Sequence, residues 1–204
     1  MKSNPVPAII DVLHHAAAHP WLYDWIQVLA GQGRVLERMS RQTVTMRAET
    51  VLDVGGGTGA SRRLWPVSSR YICLDIEMPK LIGFRSKVPS GLALLSDATR
   101  MPIANASVDV VMCMAVVHHL TDAMLDNVLG EALRVLKLGG HLILLDPILN
   151  RERLAGRILW RLDRGSYPRT EQDLRKKLDS RVKIIHWEKF AIYHEYVFGI
   201  GIRG

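Results

Sequence analysis

Between residues 50 and 147, short apolar segments recur at intervals too long for hairpins. They cover 51–54, 71–74, 93–95, 108–114 and 142–145. Each has the length of a strand, and their nearly continuous apolar character fits burial on both faces. Most of the stretches between them are long enough for a helix, as at 121–136. There the pair Gly139-Gly140 is expected to stop the helix before the next strand. Alternation of this kind builds a doubly wound, mostly parallel α/β sheet with helices on both faces. A chain of 204 residues, 48% hydrophobic and 23% charged, is large enough to bury one such core.

The pattern changes at both ends. Residues 1–49 read as helical: Pro7 opens a helix that Pro20 ends, and apolar residues at helical spacing follow over 21–29 and 35–39. Beyond Asp146-Pro147 lie a basic stretch, a break at Tyr167-Pro168, and Thr170 as N-cap of a helix over 171–178. The last two strand candidates, 182–187 and 196–202, are joined by a link too short for a parallel crossover, so they are expected as antiparallel neighbours. The expected organisation is one domain over 1–204: a helical cap at 1–49, a core at 50–147, and a basic helical segment with a C-terminal hairpin at 148–204. No apolar run reaches the roughly 20 residues of a membrane span, and the first residues lack signal-peptide character. A cytoplasmic location is the expectation. Cys73 and Cys113 fall inside strand candidates and read as core, and no Cys or His spacing calls for a metal.

The most informative local sequence is Val51-Leu52-Asp53-Val54-Gly55-Gly56-Gly57-Thr58-Gly59-Ala60. A strand ends and the chain turns at once through four glycines, where the missing Cβ lets a ligand approach the backbone. In an open α/β sheet, ligands bind beyond the carboxyl ends of the strands, which is where this loop falls. Asp53, a carboxylate inside an apolar strand, is costly unless paired; it is placed to anchor the loop amides or meet a cationic ammonium. Asp75 ends the next strand, about 20 residues after the first glycine, the usual position for a carboxylate that takes ribose hydroxyls. Glu77 is a second candidate for that role. Asp97 and Ala98 follow the third strand and suit the edge of an adenine. The loop does not repeat the Gly-x-Gly-x-x-Gly spacing of pyrophosphate sites, because Ala60 stands where the third glycine belongs.

Together, VLDVGGGTGA, CLDIE, SDATRMPIANASVDVVMCMAVVHHL and LRVLKLGGHLILLDP resemble the successive motifs of class I S-adenosylmethionine-dependent methyltransferases, in the broad subgroup that includes the ubiquinone and menaquinone biosynthesis enzymes. The resemblance spans about residues 50–147. It implies a Rossmann-like, seven-stranded, mostly parallel sheet with an antiparallel last strand, S-adenosyl-L-methionine as cofactor and S-adenosyl-L-homocysteine as product. It places Asp53, Gly55 and Gly57 along the methionine part of the cofactor, Asp75 at the ribose, and Ile76 against the adenine. Asp97 and Ala98 would hold the adenine edge, and Met114 and Ala115 would lie by the methionine end.

Methyl transfer from a sulfonium needs alignment above all. A general base is required only where the acceptor must lose a proton, and His118 and His119, just after the fourth strand, are the catalytic candidates. The expected acceptor is a small molecule, methylated on oxygen, carbon or nitrogen. The net charge of +7 is concentrated at the end of the chain: residues 151–204 carry 13 Lys or Arg against 7 Asp or Glu. Arg151, Arg153, Arg157, Arg161 and Arg164 interleave with Leu154, Ile158, Leu159 and Leu162, a pattern that suits peripheral membrane contact through residues 151–164 and a lipid-linked acceptor. No recognition module points to nucleic acid. A nucleotide-binding oxidoreductase and a non-catalytic cofactor-binding protein are the alternatives from other classes.

Overall fold

A computed structural model of the chain describes residues 31–149, 167–192 and 195–204. The expected helix from Pro7 and the apolar stretch at 21–29 lie outside these residues, as does the basic segment at 151–164. So do His14, His15, His19, Trp21, Tyr23, Trp25 and His194.

Seven strands form one sheet: β1 (Thr50–Val54), β2 (Arg70–Asp75), β3 (Leu92–Leu95), β4 (Val108–Met114), β5 (Leu136–Ile148), β6 (Lys183–Ala191) and β7 (Glu195–Ile202). Their spatial order is β3-β2-β1-β4-β5-β7-β6. β1 to β5 pair in parallel, and β7 is antiparallel to both β5 and β6. The crossover from β5 to β6 leaves one strand position open, and the short link after β6 drops β7 into it. This is the expected Rossmann-like doubly wound sheet with an antiparallel last strand.

Four α-helices are described: α1 (Gln32–Thr43), α2 (Met78–Lys87), α3 (Asp122–Val135) and α4 (Glu171–Asp179). The pleat divides each central strand between two cores. On one face Leu52, Val54, Leu74, Val111 and Cys113 pack with Leu125, Val128 and Leu129 of α3 and Leu174 and Leu178 of α4. On the other, Val51, Tyr71, Cys73, Val110 and Met112 pack with Val35, Leu36 and Met39 of α1 and Leu81 and Phe84 of α2. Both cysteines are free and buried, and burial pushes their thiols up, Cys113 to about 12, so neither is a nucleophile. β3 departs from the expectation of two-sided burial: it is an edge strand with Leu92, Ala93 and Leu95 exposed.

After the glycines the chain makes a 3-10 turn (Ala60–Leu64). One local expectation changes. The Gly139-Gly140 pair is not the stop of α3. That helix ends at Val135, and the glycines lie within β5, at an irregularity in its pairing with β4 that ends where His141 faces Val110. Gly139 has φ 73, and a Cβ on Gly140 would stand 2.8 Å from the Lys137 carbonyl oxygen. The pair serves a kink in the strand, which periodicity does not reveal.

Thr170 caps α4 as expected, in a reciprocal capping box: its hydroxyl accepts from the Asp173 amide at 3.2 Å while the Asp173 carboxylate accepts from the Thr170 amide. Thr170→Ala is expected to cost about 1 kcal/mol of stability, read as a lowered urea midpoint with an unchanged slope.

Candidate functional site

The site forms at the carboxyl ends of β1, β2, β4 and β5. β1 stops at Val54, and Gly55, Gly57 and Gly59 all take positive φ, at 65, 55 and 80°. Gly55 has a second reason to lack a side chain, since a Cβ there would collide with Cγ2 of Val116. The loop leaving β4 therefore rests directly on the glycine loop. The 3-10 turn is tied to the same strand: Ser61 Oγ donates to Met114 Sδ, and Trp65 Nε1 to Met112 Sδ, each at 3.2 Å.

A cavity of about 70 Å³ opens between these segments. Asp53, Gly55, Gly56, Thr58, Ala60 and Ser61 line one side, Met114, Ala115 and Leu145 the floor, and Gln32, Val35 and Tyr196 the far wall. Asp53 is 1% exposed. Its Oδ2 accepts a hydrogen bond from the Tyr71 hydroxyl, whereas its Oδ1 is buried with no hydrogen-bond partner among the described residues. Burial pushes this carboxyl up to about 7, against the opposing pull of the Tyr71 and Ser61 hydroxyls. An orphaned carboxylate oxygen in a small cavity beside a glycine loop is the environment a ligand ammonium needs.

Asp75, buried at the tip of β2, accepts from the Gly57 amide at 3.0 Å and the Glu77 amide at 2.9 Å, one with each oxygen. Gly57 thus acts through Asp75 and does not line the cavity. Ile76, next in the chain, is 70% exposed. Asp97 is exposed after β3, and its Oδ1 accepts from the Thr99 amide at 2.8 Å, while Ala98 packs on the core. These residues run in a line along the strand ends, outside the cavity. Glu77 turns away from any such ligand to pair with Lys80 at 2.7 Å.

Met114 and Ala115 line the cavity, and Ala115 holds a left-handed φ of 51° while its amide donates to the Leu145 carbonyl at 2.8 Å. The two histidines separate. His118 is buried, its Nδ1 lying 3.1 Å from both oxygens of Asp146 at the end of β5. His119 is exposed, its ring tilted 43° to that of His118 with centroids 4.1 Å apart. Neither lines the cavity. His141 lies well before the carboxyl end of β5, and His186 packs on Phe198.

Sequence reasoning missed Asp146, Arg169, Tyr71 and the far wall of the cavity. Asp146 carried a signal, a carboxylate closing an apolar strand like Asp53. Gln32, Val35 and Tyr196 come together only through the fold.

Residues 52–144 match the family described as Methyltransferase domain. The match takes in just under half of the chain, and over these residues the sequence is similar to a methyltransferase domain. Two bacterial malonyl-[acyl-carrier protein] O-methyltransferases are similar: that of Methylovorus sp. (strain MP688) is 38% identical over 125 residues, 54% of this chain and 40% of that protein. Norreticuline-7-O-methyltransferase of Papaver somniferum is 25% identical over 141 residues, 65% of this chain and 39% of that protein. The chain thus spans about 40% of the length of these curated relatives. Among solved structures, a Pyrococcus horikoshii OT3 protein superposes with a TM-score of 0.73 at 18% identity, covering 87% of this chain and 92% of that one. A SAM-dependent methyltransferase of Methanosarcina mazei gives 0.67 at 18% identity, covering 78% and 93%. These superpositions show the fold. The matches reach the methyltransferase class without singling out the ubiquinone and menaquinone subgroup.

Because the folded chain raises Asp53 above its usual value of 3.8, the protonated form favours folding. That contribution is complete below about pH 4 and is lost as pH rises through 7. Asp53→Asn, which stays neutral, is expected to gain about 2–3 kcal/mol of stability relative to the unmodified protein between pH 5 and pH 8, measured by urea unfolding at both values.

Proposed function

We propose that this protein transfers the methyl group of S-adenosylmethionine to an oxygen atom of a small or carrier-linked acceptor. The observation that carries the reading is Asp53: its unpaired, buried Oδ1 faces a cavity bounded by the glycine loop, where the amino group of the cofactor's methionine end fits. Asp75 is proposed for the ribose, since each carboxylate oxygen keeps acceptor capacity beyond its one backbone bond. Ile76, Asp97 and Ala98 are proposed for the adenine. The bound cofactor supplies a methyl group already activated by its sulfonium. The chain's own contribution is to hold the reacting atoms in line and keep out water.

The names of the relatives, all O-methyltransferases, support an oxygen acceptor over carbon or nitrogen. A carboxylate is favoured within that class, because it is already deprotonated and no histidine lines the cavity among the described residues. A hydroxyl acceptor would need a base, and His118 is the proposed one. A carboxylate at Nδ1 fixes the proton there and makes Nε2 the basic nitrogen. The pair of acceptor types makes His118→Asn diagnostic. Turnover of a carboxylate acceptor should change less than threefold, while a hydroxyl acceptor should lose about a hundredfold in kcat. Peripheral membrane contact through residues 151–164 remains a proposal from charge pattern, tested by salt-dependent co-sedimentation with anionic vesicles.

The cofactor assignment is tested by titration calorimetry with S-adenosylhomocysteine. Asp75→Ala should remove or greatly weaken binding. Because an ammonium pairs with the ionised form of Asp53, affinity should rise about eightfold from pH 6 to pH 7.5, with proton release, and Asp53→Asn should flatten that rise. No binding by the intact protein at any of these pH values sinks the assignment.

A further inference from the structure

The turn joining β4 to α3, residues 115–121, has few backbone bonds of its own, yet its position decides the shape of the cavity. Ala115 lines it, and Val116 occupies the space that Gly55 leaves vacant. A short turn in this position needs outside anchors, and two are present. Asp146 accepts from the Val117 amide at 3.2 Å and holds His118. The second anchor is Arg169, four-fifths of the way along the chain and only 9% exposed. Its Nη1 donates to the Val117 carbonyl at 2.7 Å and the Tyr167 carbonyl at 3.3 Å, and its Nη2 to the Leu120 carbonyl at 2.6 Å. Its Nε donates to Asp122 Oδ1 at 3.0 Å. One residue pair away, the Tyr167 amide donates to the His118 carbonyl at 3.0 Å.

Burying a guanidinium is costly unless its donors are satisfied. Here three of the four acceptors are backbone carbonyls, two of them in this turn. The ion pair is a minor part of the arrangement, because the Asp122 side chain is 75% exposed. What the site uses is the planar fork, which spans two carbonyls three residues apart in a way a single ammonium cannot.

We propose that Arg169 is a positioning residue for the cofactor cavity, acting from the segment before α4 through the Val117 and Leu120 carbonyls to hold Val116 against Gly55. The contacts run in an unbroken series: the Arg169 guanidinium on the Val117 carbonyl, Val116 beside it in the chain, the Val116 side chain on Gly55, and Gly55 on the cavity. A wall that shifts at Val116 changes the space next to Asp53 without touching the ligand directly. The segment that binds the fork also starts α4, so the C-terminal part of the chain and the cofactor loop are set by the same side chain.

The inference rests on the cofactor reading, and its test separates the two. S-adenosylhomocysteine affinity and backbone hydrogen exchange are measured for the intact protein and for Arg169→Met, Arg169→Lys and Asp122→Asn. Arg169→Met is expected to lose about tenfold in affinity and to exchange the His119 and Leu120 amides faster, with sheet amides unchanged. Arg169→Lys, which keeps the charge without the fork, is expected to resemble Arg169→Met, and Asp122→Asn to stay within twofold of the intact protein. Millimolar guanidinium should restore affinity to Arg169→Ala, which a general loss of stability would not allow. Should Arg169→Met prove too unstable to purify, the lysine variant carries the same comparison. Binding by both variants within twofold of the intact protein overturns the proposal. If the intact protein does not bind the ligand, the cofactor reading falls, and unchanged His119 and Leu120 exchange in the variants then overturns the positioning role independently.

Discussion

The site is organised around a carboxylate that the fold does not fully satisfy. Asp53 stands at the end of the central strand β1, with β2 on one side and β4 on the other. Both neighbours bear on the same site: Tyr71 of β2 donates to one oxygen of Asp53, and Met114 at the end of β4 lines the cavity with it. A solvated aspartate would be cheaper here. Burial instead keeps the group near neutrality on its titration curve, so its charge state responds to whether a cation is present. Ala115, with its left-handed φ, and the positive-φ Gly55 line the same cavity, and a left-handed φ at a non-glycine residue persists only where the surroundings hold it.

The glycine loop is shaped from the protein side as much as for the ligand. Gly55 is empty because Val116 fills the space, and Gly56 because a Cβ would stand 2.7 Å from Cys73 Sγ and 2.8 Å from Asp53 Oδ2. Asp75 adds to this: its two oxygens fix the Gly57 and Glu77 amides, so the residue proposed for the ribose is also a structural member of the loop. Loss of Asp75 therefore acts on both the ligand and the loop that receives it.

Much of this was legible from the chain. The seven strands and the antiparallel end of the sheet followed from apolar segments, their spacing and one short link, because a strand inside a doubly wound sheet buries both of its faces and only the edge strand β3 escapes that pattern among the parallel ones. The α4 cap followed from Thr170 alone. The Gly139-Gly140 pair misled, since glycine marks a helix stop and a strand kink with the same letter. At the site, the residues proposed for the cofactor sit next to glycines and strand ends and are visible as a run. The far wall is not, because Gln32, Val35 and Tyr196 belong to α1 and β7 and share neither a motif nor a spacing. Arg169 was invisible for the same reason: one arginine in a basic region looks like a solvated charge until its four acceptors are in place.

This division has a physical basis. The glycine loop rests on short-range backbone geometry, where the chain turns within a few residues, and such geometry leaves a local imprint. The far wall and its anchors rest on contacts between segments distant in sequence: Arg169 reaches Val117 across 52 positions, and Tyr196 reaches the cavity that Leu145 also lines through the pairing of β5 with β7, where it stands opposite Pro147. Contacts of that kind can be exchanged without disturbing the glycine loop, provided something still holds the β4 exit in place. A fork of hydrogen bonds to carbonyls is suited to that task, because it fixes the backbone and makes no demand on the side chains of the turn. The fork then holds the turn by its backbone, at the Val117 and Leu120 carbonyls, and the cavity beside the carboxylate of β1 keeps its shape through those contacts.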